Sequence, residues 1–237
     1  MSWHHEALIG FDLETTGTDV ETDRIVTAAV VRLEADGTVS HQRTWLLDPG
    51  IAIPEQASAI HGISTARARA DGRPAAAAVD EIAATVAEGL RAGTPLVVMN
   101  ARYDLSLLDR ECARHALASV GDRLGAVPSP VIDPLVLDKH VDKYRKGKRA
   151  LHALCDHYGV QLDDAHDARA DAVAAARVVR AMAERHRPVG ATPPADLHAL
   201  QVRAAAEQSA SLQSYLRRTA NPTAVVEAAW PVIPRSR

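Results

Sequence analysis

Aromatic residues are scarce in this 237-residue chain: one Phe, three Trp and four Tyr make up 3% of it. A core cannot be built around rings at that density, so Ala, Val, Leu and Ile must fill it. Cysteine is scarcer still. Cys112 and Cys155 stand far apart with no CxxC spacing, which excludes a disulfide-stapled scaffold and a cysteine zinc site and leaves two reduced thiols in helix faces. No apolar run approaches the ~18 residues that a bilayer requires. The first residues lack a basic region followed by an apolar stretch and a cleavage site, the pattern of a secretory leader. The expectation is a soluble, cytoplasmic protein with no membrane partner. Positive charge is not in excess either: 27 Lys and Arg face 30 Asp and Glu, for a net charge of −3. A globally basic nucleic-acid binder is therefore excluded, but a local basic patch is not.

What is present is an ordinary globular composition, 47% apolar and 24% charged, in a length that suits one good-sized domain with an extension. Ala7 to Phe11 is a short apolar strand. Arg24 to Leu33 is a second, rich in β-branched residues, and Asp36-Gly37 turns the chain into a third, Val39 to Leu47. These form an antiparallel meander, with the first strand a candidate for its centre. Short helices follow at Glu55 to Ile60 and from Ser64, then a long one at Ala75 to Arg91, where Val79, Ile82, Val86 and Leu90 recur at helical spacing. Pro95 to Met99 reads as a buried strand, Tyr103 to Ala118 as a helix, and Val131-Ile132 as a further short strand. Helices then run over Leu135 to Lys139, Ala150 to Tyr158 and about Asp167 to Arg185. Pro188 to Pro194 holds three prolines and a glycine and reads as a linker. Beyond it, Ala195 to Arg218 is an amphipathic helix, and a mostly apolar run ends at Trp230. The order predicts an α/β fold with a mixed five-stranded sheet, antiparallel first and parallel later, flanked by helices. It divides into a domain at 1–187 and an extension at 188–237 that packs back on it.

Four acids stand out by position. Asp12 and Glu14 lie two apart at the exit of the first strand, so both side chains share one face. Carboxylates that close repel unless something neutralises them, and a divalent cation does so. Asp104 follows a buried strand, and Asp171 sits in the last long helix of the main domain, five residues after His166. Ligands at the carboxyl ends of parallel strands are the expected arrangement for such a sheet. Hard oxygen donors with no thiolate select Mg²⁺ or Mn²⁺ over zinc. A histidine ordinarily titrates near pH ~6.5, so the role of proton acceptor for an attacking water suits His166. Taken singly, each residue has a plainer reading: an acidic turn, a helix cap, a solvated helix face. The joint pattern is what argues for a site.

That pattern resembles the DnaQ-like, or DEDDh, 3′→5′ exonucleases, the family of the proofreading ε subunit of bacterial DNA polymerase III, ribonuclease T and oligoribonuclease. The matching motifs are Phe11-Asp12-Leu13-Glu14-Thr15-Thr16-Gly17, Asn100-Ala101-Arg102-Tyr103-Asp104 and His166-Asp167-Ala168-Arg169-Ala170-Asp171, with weaker matches at Ile60 to Ser64 and Asp133-Pro134-Leu135. The resemblance spans Ala7 to Arg185. It implies an RNase H-like fold and two Mg²⁺ (or Mn²⁺) ions. Asp12 would bridge both, Glu14 and Asp171 would complete the first site, Asp104 would support the second, and His166 would be the general base. It also implies that the Thr15 backbone meets the terminal 3′-hydroxyl and that Phe11 and His61 line the terminal nucleotide pocket. Asp133 reads as a cap of the following helix rather than a catalytic group.

Between Lys143 and Arg149 five positive charges fall in seven residues. Such a run is either a solvated loop or a phosphate contact, and Lys146 and Lys148 are its candidate DNA-binding residues. The expected activity is hydrolysis of the terminal phosphodiester at single-stranded or frayed DNA 3′ ends, releasing nucleoside 5′-monophosphates. Trimming of RNA 3′ ends and a non-catalytic nucleic-acid scaffold are the alternatives. The extension could also carry a polymerase or repair partner.

Overall fold

The computed structural model describes residues 2–162 and 166–235. A 3₁₀ turn at Trp3–His5 leads into β1 (Leu8–Thr15), β2 (Ile25–Leu33) and β3 (Val39–Asp48). Helices α1 (Glu55–His61) and α2 (Thr65–Asp71), the short strand β4 (Arg73–Pro74) and the long helix α3 (Ala75–Arg91) follow. Next come β5 (Leu96–Val97), α4 (Ala101–Arg114), α5 (Val120–Leu124), β6 (Val131–Ile132) and α6 (Pro134–Val141). The chain closes with α7 (Leu151–Tyr158), α8 (Ala168–Arg185), α9 (Arg187–Ala191) and α10 (Pro194–Thr219).

The sheet runs β4-β3-β2-β1-β5-β6. β1 pairs antiparallel with β2, and β2 with β3, whereas β1–β5, β5–β6 and β3–β4 are parallel. The mixed architecture is the expected one, with six strands in place of five. The extra strand is β4, whose two residues carry a proline and no apolar alternation, so nothing in the local pattern marks it as a strand. The apolar run at Pro95 to Met99 pairs only at Leu96 and Val97. α5, a five-residue helix, lies in a segment that shows no helical periodicity. It is held by a capping box in which Ser119 and Asp122 bond each other's backbone N–H.

Alternation along β1 builds two cores. Ile9, Phe11 and Leu13 point to one face and pack with α3 and α4, whose Val79, Ile82, Val86, Leu105 and Leu108 meet them. Leu8 points to the other face, where α8 lies across β1 and β2. α8 buries Ala172, Ala174, Ala175 and Ala176. Small side chains let it approach the sheet closely, which is how a chain poor in rings still closes its core.

The segment read as a linker holds α9, packed on α8 and tied to the N-terminus by a bond from Trp3 Nε1 to the Val189 carbonyl at 3.2 Å. α10 lies against β6 and α6. Its Gln201 is fully buried, takes the Asp133 N–H at 2.7 Å and donates to the Val131 carbonyl at 3.1 Å. The last residues run back over α4, where Arg110 donates to the carbonyls of Ile233 and Pro234. Among the described residues no helix is long and apolar enough to cross a membrane.

Candidate active site

β5 meets β1 only at Ile9 and Gly10. Beyond that point the β5 side of β1 is a free edge, and a buried N–H there needs another acceptor. Asp104, in the first turn of α4, supplies it: its Oδ1 accepts from the Leu13 N–H at 3.0 Å. Asp104 thus bonds across to β1 and does not cap α4. The cap is Asp133, whose two oxygens accept the N–H groups of Asn100 and Ala101 at 3.0 Å each.

On the opposite side α8 presses against β1 at Gly10. A Cβ there would stand 2.3 Å from the Ala172 carbonyl oxygen. Glycine is required by this approach, and the approach carries Asp171, the preceding residue of α8, toward the face that holds Asp12 and Glu14. One ligand atom from each of Glu14, His166 and Asp171 lies within 4.8 Å of the others. That trio joins the end of β1 to the start of α8, and Asp104 in the first turn of α4 adds its charge to that of Asp12.

Crowding these acids has an electrostatic consequence. Burial drives the Asp12 carboxyl well above the ordinary carboxylate range, and the neighbouring charges of Asp104, Asp171, Glu14 and Asp167 push it further. Glu14 is raised to about 8 by burial and by Asp171 and Asp167. Burial also raises Asp104, although the Leu13 N–H opposes it, and raises Asp171. Asp171 Oδ2 accepts from the His166 N–H at 3.3 Å, while its buried Oδ1 has no partner among the described residues. Crowded acids that repel one another, with a buried carboxylate oxygen left over, call for a positive counter-charge. Four carboxylates and one imidazole form a hard donor set suited to Mg²⁺ or Mn²⁺. The residues present fit divalent cations.

The loop that leaves β1 is held in one shape. Thr15 Oγ1 donates to the Gly17 carbonyl at 2.7 Å and lies 2.8 Å from the Tyr103 hydroxyl, which itself donates to the Gly17 carbonyl. Burial pushes the Tyr103 phenol up to about 12, so it stays a neutral donor. Thr16 Oγ1 donates to Asp23 at 2.7 Å, and a Cβ on Gly17 would meet that carboxylate at 2.6 Å. His61 ends α1. Its Nδ1 accepts from the Ile63 N–H at 3.2 Å, which assigns the proton to Nε2, and that buried nitrogen has no partner among the described residues. The ring faces the Thr15 backbone and His166, and burial lowers its pKa. His166 is exposed at the rim with a left-handed backbone, φ 69°.

Other expected residues fall elsewhere. Phe11 is fully buried among the α3 and α4 side chains. Strand alternation turns it away from Asp12, so it belongs to the core and does not line a substrate pocket. Lys146 and Lys148 are exposed on their loop. Two arginines of the same loop are not free: Arg145 and Arg149 both pair with Asp138, a fully buried carboxylate that also accepts from the Tyr158 hydroxyl at 2.9 Å. Asp133 caps α6 as read, its Oδ1 accepting from the Leu135 N–H at 2.9 Å, but two other contributors escaped the sequence reading. Gly10 carried a usable signal, because a glycine inside an apolar strand marks close approach by another backbone. Tyr103 sits within a motif but acts on a loop 86 residues away. Asp133 also accepts from Trp230 Nε1 at 3.3 Å, joining the extension to the sheet, and no local pattern signals that contact.

An exonuclease family model, that of the RNase T group, matches residues 9–179. DNA polymerase III PolC-type of Lacticaseibacillus paracasei is 29% identical over 172 residues, 73% of this chain and 11% of that protein. The PolC-type polymerase of Clostridium perfringens is 27% identical over 170 residues, again 11% of its length. The chain thus spans about a tenth of these curated relatives. Among solved structures, E. coli exonuclease I in complex with a dA16 oligonucleotide superposes with a TM-score of 0.66 at 20% identity, covering 78% of this chain and 42% of that one. Exonuclease I of Methylocaldum szegediense gives 0.64 at 22% identity, covering 89% and 46%. These structural neighbours share the fold, and the family match supplies the rest: the chain belongs to the DnaQ-like family of 3′→5′ exonucleases.

Proposed function

We propose that this protein removes nucleotides one at a time from the 3′ end of single-stranded or frayed DNA, releasing nucleoside 5′-monophosphates. The observation that carries the proposal is the convergence of Glu14, His166 and Asp171, with ligand atoms within 4.8 Å, together with Asp12 on the same strand and the buried Asp104. Asp12, Glu14, Asp104 and Asp171 would hold two Mg²⁺ or Mn²⁺ ions. When bound, such a pair neutralises charge developing on the phosphate and acidifies water. His166, exposed at the rim, accepts the proton of the attacking water. The new bond forms to phosphorus, the bond from phosphorus to the 3′ oxygen of the preceding nucleotide breaks, and the phosphate leaves on the released nucleotide.

The remaining residues position the strand. Thr15 and Gly17, fixed by Tyr103, offer backbone to the terminal 3′-hydroxyl. The Nε2–H of His61, which faces the Thr15 backbone, is a donor for the terminal nucleotide. Lys146 and Lys148 reach phosphates from their loop. Support for a single-stranded DNA substrate comes from the oligonucleotide carried by the exonuclease I neighbour. The PolC relatives hold their matching segment within a polymerase chain, which favours a polymerase or repair partner. A pull-down with and without the residues after 187 tests that partner.

The activity test supplies Mg²⁺ or Mn²⁺ with 5′-labelled single-stranded DNA, blunt duplex and RNA side by side. Single-stranded DNA should shorten stepwise from its 3′ end, faster than the other two. Internal cuts, or no shortening of any substrate, would overturn the proposal.

A further inference from the structure

A cleft of about 610 Å³ opens between α10, α6 and the start of α4, a volume typical of ligand sites. One wall is α10, where Leu212, Tyr215 and Arg218 follow at a spacing of three and share a face. Leu212 is 48% and Tyr215 54% exposed, although the opposite face of the same helix is buried against β6 and α6. The facing wall carries Lys139 from α6 and Lys143 from the loop after it.

The charges sort by what they already do. Arg102 is committed to the Glu227 carbonyl at 2.8 Å and Ser209 at 3.2 Å, and Arg149 to Asp138. Lys139, Lys143 and Arg218 have no ion pair among the described residues. Against them the cleft offers Glu207 and Asp133, and the Asp133 oxygens are occupied by N–H donors. The open cleft is thus cationic, with an exposed aromatic ring on one wall. Asn100 also lines it. Asn100 precedes α4, and Asp104 lies one turn further along that helix, so the cleft opens at the end of α4 that carries one of the candidate ligands. Unpaired cations interleaved with a ring are the chemistry that holds a single strand: the cations take phosphates and the ring stacks a base.

The exonuclease family match ends at residue 179, and α10 lies beyond it. We propose that the C-terminal extension completes a track for single-stranded DNA, in which Tyr215 stacks a base upstream of the 3′ end while Lys139, Lys143 and Arg218 hold the phosphates around it. This rests on the exonuclease reading of the neighbouring site and adds to it a function for the extension.

Binding measured in chelator, where no turnover occurs, separates the two. Fluorescence anisotropy of 5′-labelled dT12 with the full chain should show Tyr215→Ala binding about tenfold more weakly. Tyr215→Phe, which keeps the ring, should stay within about twofold of wild type. The double variant Lys139→Ala/Arg218→Ala should weaken binding and lower the slope of log affinity against log salt by about 1.4, the value for two single-strand phosphate contacts. Tyr215 and Arg218 are exposed and Lys139 is partly buried, and circular dichroism confirms that each variant is folded. Wild-type affinity and slope in folded Tyr215→Ala and double-cation variants would overturn the track, as would a wild-type chain that does not bind dT12. Absence of exonuclease activity in a chain whose dT12 binding follows the expected pattern would overturn the reading of the catalytic site and leave the track standing.

Discussion

Gly10→Ala adds one methyl group to the inside of the protein and should disable the site without touching any candidate ligand. The added Cβ would lie 2.3 Å from the Ala172 carbonyl oxygen and 2.9 Å from Val31 Cγ2. The first neighbour is helix backbone and cannot rotate away. Ordinary contact begins at 3.4 Å, so α8 must retreat from β1 by roughly 1 Å, the difference between those distances. Asp171 moves with it, and the ligand atoms of Glu14, His166 and Asp171 separate. A displacement of that size at a reacting centre costs about 100-fold in rate. Overpacking of this kind costs about 1–3 kcal/mol of stability, a fall of roughly 2–12 °C in Tm for a chain of this length. The assay is kcat/KM for 3′ trimming of a single-stranded oligonucleotide, with Tm measured on the same sample. Wild-type rate and wild-type Tm together would refute the claim that close approach of α8 to β1 sets the site geometry.

Other perturbations separate the roles of neighbouring groups. Asp133→Ala strips acceptors from the buried N–H groups of Asn100, Ala101 and Leu135, so stability should fall by about 3–5 kcal/mol, read as a Tm drop of roughly 10 °C; an unchanged Tm would contradict its structural role. In chelator, the upward shift of Asp12 and that of Glu14, which alone is placed at about 8, give a definite sign. Protons held by the folded state stabilise it below the ordinary carboxylate pKa, and that stability is lost as pH rises toward 8. Tm in chelator should therefore fall between about pH 5.5 and 8, and Mg²⁺ should restore more at the upper end; a Tm in chelator that climbs over that window would exclude the clustering of the acids. Replacing Lys146 and Lys148 by alanine should weaken DNA binding and reduce its salt slope by about 1.4; an unchanged slope would return the loop to a solvated one.

The fold was legible wherever a periodic apolar pattern ran long enough. Val79, Ile82, Val86 and Leu90 announce α3, and the β-branched run from Arg24 announces β2. The candidate site was legible for a different reason, since its carboxylates fall in short motifs at strand ends. What escaped was set by tertiary contact. β4 pairs through two residues with no pattern of their own. The proline-rich stretch after Arg185 folds because Trp3 and α8 give it a surface to pack on. Phe11 adjoins Asp12 in sequence, yet strand geometry sends it to the opposite face. Arg145 and Arg149 look like DNA contacts until the buried Asp138 is placed beneath them.

The account turns on Asp12, which stands where burial and the charges of Asp104, Asp171 and Glu14 converge. The most direct test is single-turnover trimming of 5′-labelled single-stranded DNA with Mg²⁺ by folded Asp12→Asn protein, which keeps the shape and removes the charge. The wild-type chain should give a ladder receding from the 3′ end, and the variant should trim at least about 1,000-fold more slowly, as expected when electrostatic stabilisation of the transition state is lost. An Asp12→Asn protein that trims at the wild-type rate would contradict the assignment of this cluster as the active site.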